Sequence, residues 1–211
     1  GMSDVWKWGD AVYGNCWRTT NDITDTWASV KNIALDQDKS APYARPGNWN
    51  DPDMLVVGHV GWGNPHPSKL KPDEQYLHIS LWSLFAAPLL IGCDMEKLDD
   101  FTLNLLTNDE VIEINQDPLG KQATCLQTNG ELRIYVKELE DGSKAVGFCN
   151  FGLEIAELSY TDFAKLGLSG KYNVRDLWRQ KDVDRINTQT ENLKIKVPVH
   201  GVVLYKFTTV K

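Results

Sequence analysis

Residues 47–58 read GNWNDPDMLVVG and place two carboxylates, Asp51 and Asp53, on either side of Pro52. The apolar run that follows, residues 54–57, is typical of a buried strand. Two acids beside a core strand either form a turn or take part in chemistry. This stretch therefore predicts both a strand of the core and a candidate site at its border.

The composition limits the class of protein. The chain has 211 residues, of which 42% are hydrophobic and 24% charged, as expected of a soluble globular protein with one or two domains. The formal net charge is −7 and Lys and Arg form no cluster, which argues against a nucleic-acid or anionic-lipid partner. No apolar run approaches the ~20 residues of a membrane span. The sequence predicts neither nucleic acid nor membrane as a partner.

The cysteines and histidines have no metal-ligand spacing. Four cysteines are widely separated without a CxxC pair: Cys16, Cys93, Cys125 and Cys149. The four histidines, His59, His66, His78 and His200, likewise lack an HExxH pattern. We expect no metal, no cofactor and no dense disulfide framework, and we interpret the cysteines as mostly buried thiols.

The first part of the chain alternates between helical and strand patterns. Apolar residues from Ile23 keep helical spacing, with Thr20 or Asp22 as the cap, and a second helix begins at Pro72 and stops at Pro88. A strand buried on both faces is predicted at residues 88–94 (PLLIGCD), and further helices at residues 99–106 and 108–114, the last opened by a capping box from Thr107. This order predicts a parallel α/β sheet or barrel.

The periodicity changes after residue 118. Leu132, Ile134 and Val136 alternate with polar residues, and Asn129-Gly130 and Asp141-Gly142 are strong hairpin turns. Alternation returns at residues 193–197 and is followed by a strand at 202–207. We predict a barrel-like domain at residues 1–118 that packs directly on an antiparallel β-sandwich at residues 119–211.

Acids follow the predicted strands of the first part. They are Asp22, Asp51, Asp53 and Asp94. In a β/α barrel the carboxyl ends of the strands converge on one pocket, so these acids would converge as well. A pair of carboxylates is what glycoside hydrolysis requires, one as proton donor and one as nucleophile.

Tryptophans are concentrated in the same region. Seven of the eight lie in the first 82 residues: Trp6, Trp8, Trp17, Trp27, Trp49, Trp62 and Trp82. Aromatic faces stack on sugar rings, so this enrichment beside carboxylates favours a carbohydrate site. Trp27 and Trp82, at helical spacing, are assigned to the core.

Each charged residue also has a structural interpretation. Asp22 could be only a helix N-cap, Asp51 and Asp53 could form a turn around the proline, and Asp94 could cap the next segment. Arg18 is either a surface charge or a group that orients a carboxylate bidentately.

Four motifs in order resemble one family. They are WRTTNDITDTW (residues 17–27), GNWNDPDMLVVG, SLWSLFAAPLLIGCDM (80–95) and NDEVIEINQDPLGKQ (108–122). They resemble the C-terminal half of glycoside hydrolase family 27, the α-galactosidases and α-N-acetylgalactosaminidases. The segment VPVHGVVLYKF (197–207) is similar to the last strands of that family's C-terminal sandwich.

The resemblance implies a fold and a set of roles. The fold is a (β/α)8 barrel followed by an antiparallel β-sandwich, and the activity is cleavage of terminal α-linked galactosides, with retention, by two aspartates. Asp22 matches the general acid/base, Arg18 the arginine beside it, and Asp53 and Met54 the lining of the sugar pocket. Supporting positions are assigned to Trp17, Trp49, Asp51 and Asp94.

The barrel-like part is too short for a whole barrel. A complete barrel takes ~250 residues, so residues 1–118 correspond to about its last three strands. The family's nucleophilic aspartate and the loop that distinguishes galactose from N-acetylgalactosamine have no counterpart here. We therefore expect a truncated hydrolase, inactive alone, whose open edge is covered by a second copy or by an N-terminal half. The alternative is a non-catalytic carbohydrate-binding or structural remnant.

Overall fold

The computed structural model describes residues 2–61 and 63–210. In the first part, the strands are β1 (Cys16–Arg18), β2 (Trp49–Asp51), β3 (His59–Val60) and β4 (His66–Pro67). The helices are α1 (Trp27–Leu35), α2 (Pro72–Leu84), α3 (Asp100–Leu106) and α4 (Asp109–Asn115). Short 3-10 helices lie at Val5–Lys7, Asp10–Val12, Gln37–Lys39, Ala41–Tyr43 and Met95–Lys97.

The first part is a parallel α/β arrangement, as predicted. β1 pairs in parallel with β2, with Cys16 opposite Trp49 and Arg18 opposite Asp51. Farther along, a parallel bridge joins Leu55 to Ile91. These strand segments, with α1 and α2 between them, have the alternation expected of consecutive β/α units of a barrel.

The predicted start of the first helix is wrong. α1 begins at Trp27, and its N-cap is Thr26, whose hydroxyl accepts a hydrogen bond from the N–H of Ser29. Neither Thr20 nor Asp22 caps it. The backbone N–H of Ile23 donates instead to the carboxylate of Asp53, and the Ile23 side chain is buried. This segment is therefore held by contacts with distant residues rather than by a helix.

The other helix starts follow local sequence signals. α2 has Pro72 in its first turn, and the carboxylate of Glu74 accepts from the N–H of Lys71 at 2.8 Å. α3 is capped by Asp99. α4 is capped by Asn108 rather than by Thr107, with which the predicted capping box began.

The two predicted core strands are less regular than expected. Residues 55–57 are buried, but in the described part of the chain their strand pairing is limited to the bridge at Leu55. Residues 88–94 are not buried on both faces, since Leu90 and Ile91 are 50% and 48% exposed. The reason is that, within residues 2–61 and 63–210, this segment has a strand neighbour on one side, at Leu55.

The second part is an antiparallel β-sandwich, as predicted. Its strands are β5 (Thr124–Asn129), β6 (Leu132–Glu138), β7 (Lys144–Asn150), β8 (Ala156–Tyr160), β9 (Lys171–Asp176), β10 (Lys181–Asn187), β11 (Leu193–Val197) and β12 (Val202–Thr209). Six of them form a sheet in the order β10-β9-β12-β7-β6-β5, and β8 pairs with β11. A 3-10 helix lies at Phe163–Leu166. The predicted turns at Asn129-Gly130 and Asp141-Gly142 join β5 to β6 and β6 to β7.

The sandwich core lies between its two sheets, and a second core crosses to the barrel-like part. The latter joins Leu84 and Phe85 at the end of α2 to Tyr135, Ala145 and Leu204 of the large sheet. The two parts therefore pack directly on each other. The predicted domain boundary, between residues 118 and 119, falls between α4 and β5. The division into two domains stays a prediction.

Two further expectations concern single residue types. The cysteines are free, but the interpretation as mostly buried thiols is wrong: Cys149 is buried, Cys93 and Cys125 are half-buried, and Cys16 is exposed. The reason is that Cys16 lies on β1, whose described pairing is to β2 alone. None of the helices in residues 2–61 and 63–210 is long and apolar enough to cross a membrane.

Candidate active site

The site is built where β1 and β2 end. The parallel register places Arg18 and Asp51 side by side as the last residues of the two strands. Asp53 follows two residues after β2, and Asp22 follows four residues after β1. The sequence therefore brings one cation and three carboxylates to the carboxyl edge of the strand pair.

Asp53 is the most firmly held of these residues. Its Oδ2 accepts from Arg18 Nη2 at 2.6 Å and from the N–H of Ile23 at 2.7 Å, and its Oδ1 accepts from the N–H of Met54 at 2.8 Å. Its carbonyl oxygen accepts from the indole N–H of Trp82 at 2.6 Å. The backbone has φ 96°, which is uncommon for a residue other than glycine. Such a conformation persists because several contacts fix it together.

Asp51 holds the turn that presents Asp53. Its Oδ1 accepts from the N–H of Asp53 at 2.8 Å, a side-chain-to-backbone bond two residues along the chain. The turn interpretation is therefore the arrangement observed at Asp51. Burial raises the pKa of the Asp51 carboxyl, with the hydrogen bond from Asp53 and the charge of Arg18 acting in the opposite direction.

Asp22 is the exposed member of the group. Its Oδ1 lies 3.3 Å from Arg18 Nη2, and its side chain is 98% exposed. It adjoins a cleft of about 600 Å³ that is also lined by Ser3, Asp4 and Thr19. Arg18 is not a bidentate partner, because a single nitrogen, Nη2, contacts both Asp22 and Asp53.

Of the other residues predicted to support the site, the two tryptophans pack inside the fold, whereas Asp94 lies apart from Arg18. Trp17 is buried on β1 and donates its indole N–H to Asn50 at 2.8 Å. Trp49 is half-buried at the start of β2 and faces Gly120. Asp94 accepts from the N–H of Glu96 and lies 3.3 Å from Lys97, which is the capping role considered for it. Among the described residues, Asp94 bonds to Glu96 and Lys97 and not to Arg18, Asp22 or Asp53.

The tryptophans mostly pack rather than offer open faces. Trp6, Trp17 and Trp82 are buried, Trp27 stacks on His200 at 4.1 Å, and Trp8 is 38% exposed. Trp62 lies outside the described residues. Across residues 2–61 and 63–210, no three His, Cys, Asp or Glu side chains gather in a way that could hold a metal ion.

Family models match both parts of the chain. Residues 9–117 match the family described as alpha galactosidase A, and residues 129–207 match the alpha galactosidase C-terminal beta sandwich domain. The chain belongs to glycoside hydrolase family 27, the α-galactosidase family. It has the fold of the C-terminal part of that family's TIM barrel, followed by the β-sandwich.

Relatives and solved structures agree with this membership. Alpha-galactosidase 2 of Arabidopsis thaliana is 39% identical over 210 residues, which are 99% of this chain and 50% of that protein. Alpha-galactosidase I of Mortierella vinacea has a TM-score of 0.86 at 26% identity, covering 96% of this chain and 55% of that one. A family 27 β-L-arabinopyranosidase of Geobacillus stearothermophilus has a TM-score of 0.85 at 27% identity, covering 93% and 45%. The chain spans about half the length of the curated relatives it matches.

Sequence patterns did not identify several residues that hold Asp53 and Met54 in place. Trp82 was assigned to the core, which is correct, but its N–H also fixes the carbonyl of Asp53. His78 accepts from the N–H of Val56 and so ties α2 to the buried segment after Asp53. Gly92 packs on Met54: a Cβ there would meet Met54 Sδ and the Leu55 carbonyl at 2.7 Å each. A glycine inside an apolar run is a signal of such close backbone approach, so the sequence could have indicated the contact at Gly92.

Proposed function

We propose that this chain supplies the acid/base and one wall of the sugar pocket of a retaining glycoside hydrolase that acts on terminal α-linked galactosides. The observation that carries the proposal is the Arg18 guanidinium between Asp22 at 3.3 Å and Asp53 at 2.6 Å, at the carboxyl ends of parallel strands. Asp22 donates a proton to the leaving oxygen and then activates water. Asp53 and Met54 line the pocket, and Arg18 positions both carboxylates.

The distribution of hydrogen bonds supports this assignment of roles. Both oxygens of Asp53 accept bonds from Arg18 or from backbone N–H groups, so this carboxylate is engaged. Asp51 is engaged by the Asp53 N–H and is buried. Asp22 remains accessible beside a cleft and contacts Arg18 alone among the described residues.

The second carboxylate of the reaction comes, in this proposal, from the N-terminal part of the barrel. Retention needs a nucleophile ~5–5.5 Å from the acid/base. Asp51 and Asp53 do not fill this role in the proposal, because both accept hydrogen bonds that hold the turn and Arg18. Several apolar side chains of the barrel-like part are exposed, as expected of a surface that further chain covers: Val12, Tyr13, Leu90 and Ile91. We infer that the chain is inactive alone.

Hydrolysis of p-nitrophenyl α-D-galactopyranoside tests the proposal. The chain is assayed alone and mixed with the N-terminal half of Arabidopsis alpha-galactosidase 2. We expect turnover in the mixture only, with Asp22→Asn abolishing it and Asp162→Asn, a carboxylate of the sandwich that pairs with Lys165, leaving it unchanged. Since one structural neighbour is a β-L-arabinopyranosidase, the corresponding p-nitrophenyl arabinoside is assayed in parallel.

The outcomes separate the alternatives. Turnover by the chain alone, with a dimer in the ultracentrifuge, would mean that a second copy supplies the nucleophile. A mixture that associates but stays inactive, while galactose still binds the chain, would favour non-catalytic carbohydrate binding. Preference for the arabinoside would overturn the substrate assignment while preserving the roles of Asp22 and Asp53.

A further inference from the structure

A second cleft lies at the junction of α2 with the sandwich. Its volume is about 510 Å³, within the ~300–1,000 Å³ of small-molecule sites. The seam cleft, as we name it, is bordered by Asp73 and Tyr76 of α2, Trp178 and Arg179 of the β9–β10 turn, Lys194 of β11 and Tyr205 of β12. Both parts of the molecule therefore contribute to its walls.

The seam cleft is separate from the Asp22–Asp53 site. Ser80 of α2 accepts from the indole N–H of Trp178, whereas Trp82 of the same helix donates to Asp53. Two residues along an α-helix are turned by about 200°, so these contacts lie on opposite sides of α2. Asp73 and Tyr76, three residues apart, line the seam cleft, and Ser80, four residues after Tyr76, lies buried behind it and contacts Trp178. A ligand there would not touch Asp53.

The aromatic wall is held rigidly. The Trp178 N–H bond to Ser80 Oγ is 2.7 Å long, and the Trp178 ring meets Tyr76 edge to face at 4.7 Å between centroids. Tyr76 is braced in turn by Phe101 at 5.7 Å. Both cleft rings, Tyr76 and Trp178, are half-buried, so part of each remains accessible. Binding a ligand therefore costs little free energy for ordering this wall, because the two rings are already held in place.

Charged groups of both signs surround this wall. Arg179 Nη1 lies 2.8 Å from the buried carboxylate of Asp176, whose other oxygen accepts from the Arg179 N–H, while the Arg179 side chain is 71% exposed. The guanidinium is thus anchored through one nitrogen and keeps donors directed outward. Lys194 and Asp73 are exposed on either side. Lys196, which also lines the cleft, pairs with Glu157 at 2.7 Å, as Arg179 pairs with Asp176. Asp73 is then left to oppose Lys194, so the charges offset each other and a neutral ligand with many hydroxyl groups fits better than an ion.

We propose that the seam cleft is a non-catalytic binding site for a neutral oligosaccharide. Tyr76 and Trp178 provide the apolar faces on which sugar rings pack, and Tyr205 adds a ring with a polar tip. Arg179, Lys194 and Asp73 supply hydrogen-bond donors and acceptors for hydroxyl groups. Such a site holds a substrate chain near the molecule without taking part in bond cleavage.

Titration with raffinose, followed in proton–nitrogen correlation spectra, tests this proposal. The indole N–H signal of Trp178, assigned by its loss in Trp178→Phe, should shift saturably as raffinose is added. The same shift is expected in Asp53→Asn, because the barrel pocket is not involved. The double variant Arg179→Ala/Lys194→Ala should weaken the apparent affinity about tenfold, as for lost hydrogen bonds to charged groups.

Lys171→Ala provides the matched control, because Lys171 is an exposed lysine of β9 outside the cleft. It should leave the affinity unchanged. A Trp178 signal that stays fixed at saturating raffinose, or a shift that disappears in Asp53→Asn, would overturn the proposal. A shift that survives Asp53→Asn would uphold it even if the hydrolase proposal failed, so the two are tested independently.

Discussion

Asp53 shows how a single carboxylate can be fixed in an unusual backbone conformation. Its partners come from three places: Arg18 on β1, Ile23 on the following loop, and its own neighbour Met54. Its side chain is 10% exposed and that of Arg18 30%, so the pair is partly desolvated. A charge in such a position is stabilising only while its partners are kept.

We therefore expect Asp53→Asn to lower the free energy of unfolding by about 2–3 kcal/mol, because it leaves Arg18 without its nearer charged partner and replaces one acceptor oxygen with an NH2 group that faces a donor. Urea denaturation of the chain measures this. The control is Asp162→Asn, whose pair with Lys165 has both side chains about half exposed and is worth below about 1 kcal/mol. Equal losses for the two variants would mean that the Asp53 network contributes no special stability.

At the scale of single residues, the sequence predicted only those contacts around Asp53 that join residues close together in the chain. The Asp-Pro-Asp order indicated a turn, and Asp51 forms it with Asp53 two residues on. The donors that hold Asp53 could not be deduced from spacing, since Arg18 and Trp82 lie 35 and 29 residues away. The function of Asp22 and Met54 rests on the family motif, because an exposed acid and a thioether carry no local signature.

At the scale of elements, α2 connects the site to the core. Trp82 holds the Asp53 carbonyl, and His78, one turn earlier, holds the N–H of Val56. The two rings meet edge to face at 4.2 Å. Caps within a few residues made α2, α3 and α4 predictable, whereas α1 starts late because Ile23 is bonded to Asp53. Local signals therefore decide a helix start only where no distant partner competes for the backbone.

His78 makes the stability of this element dependent on pH. Burial lowers its pKa to about 3 from the ordinary 6.5, so the folded state keeps the ring neutral. The unfolded chain takes up a proton below pH 6.5, and the free energy of unfolding must fall as the pH drops from there toward 3. The expected loss between pH 6.5 and 4 is roughly 3 kcal/mol, at ~1.4 kcal/mol per unit.

Urea denaturation at pH 7, 5.5 and 4 checks this contribution against His78→Gln, whose amide oxygen can still accept from Val56. Carboxylates titrate in both proteins, so the difference between their pH profiles isolates the histidine. The variant should lose markedly less stability on acidification. Parallel profiles would show that His78 takes up its proton in the folded state.

At the scale of the whole molecule, one core crosses from the barrel-like part to the sandwich. Sequence alternation and the turns at Asn129-Gly130 and Asp141-Gly142 predicted β6, β7, β11 and β12, because each signal is local. The way the two parts join was not readable in detail, since it depends on Leu84 of α2 meeting Gly147 of β7 across a long separation. A Cβ at Gly147 would lie 2.6 Å from Leu84 Cδ1, so the glycine allows the helix to approach the sheet.

This contact predicts how the molecule unfolds. Gly147→Ala should cost about 1–3 kcal/mol by overpacking, and Leu84→Ala about 2–5 kcal/mol by leaving a cavity. Together they should cost at least ~1 kcal/mol less than the sum, because the new methyl group occupies space that Leu84 vacates. Leu84→Ala combined with Gly152→Ala, where a Cβ would meet Glu131 and Asn150 rather than α2, should be additive.

Thermal unfolding should show one transition throughout, since a shared core couples the two parts. Additive losses at Gly147 and two separate transitions would mean that the two parts fold independently.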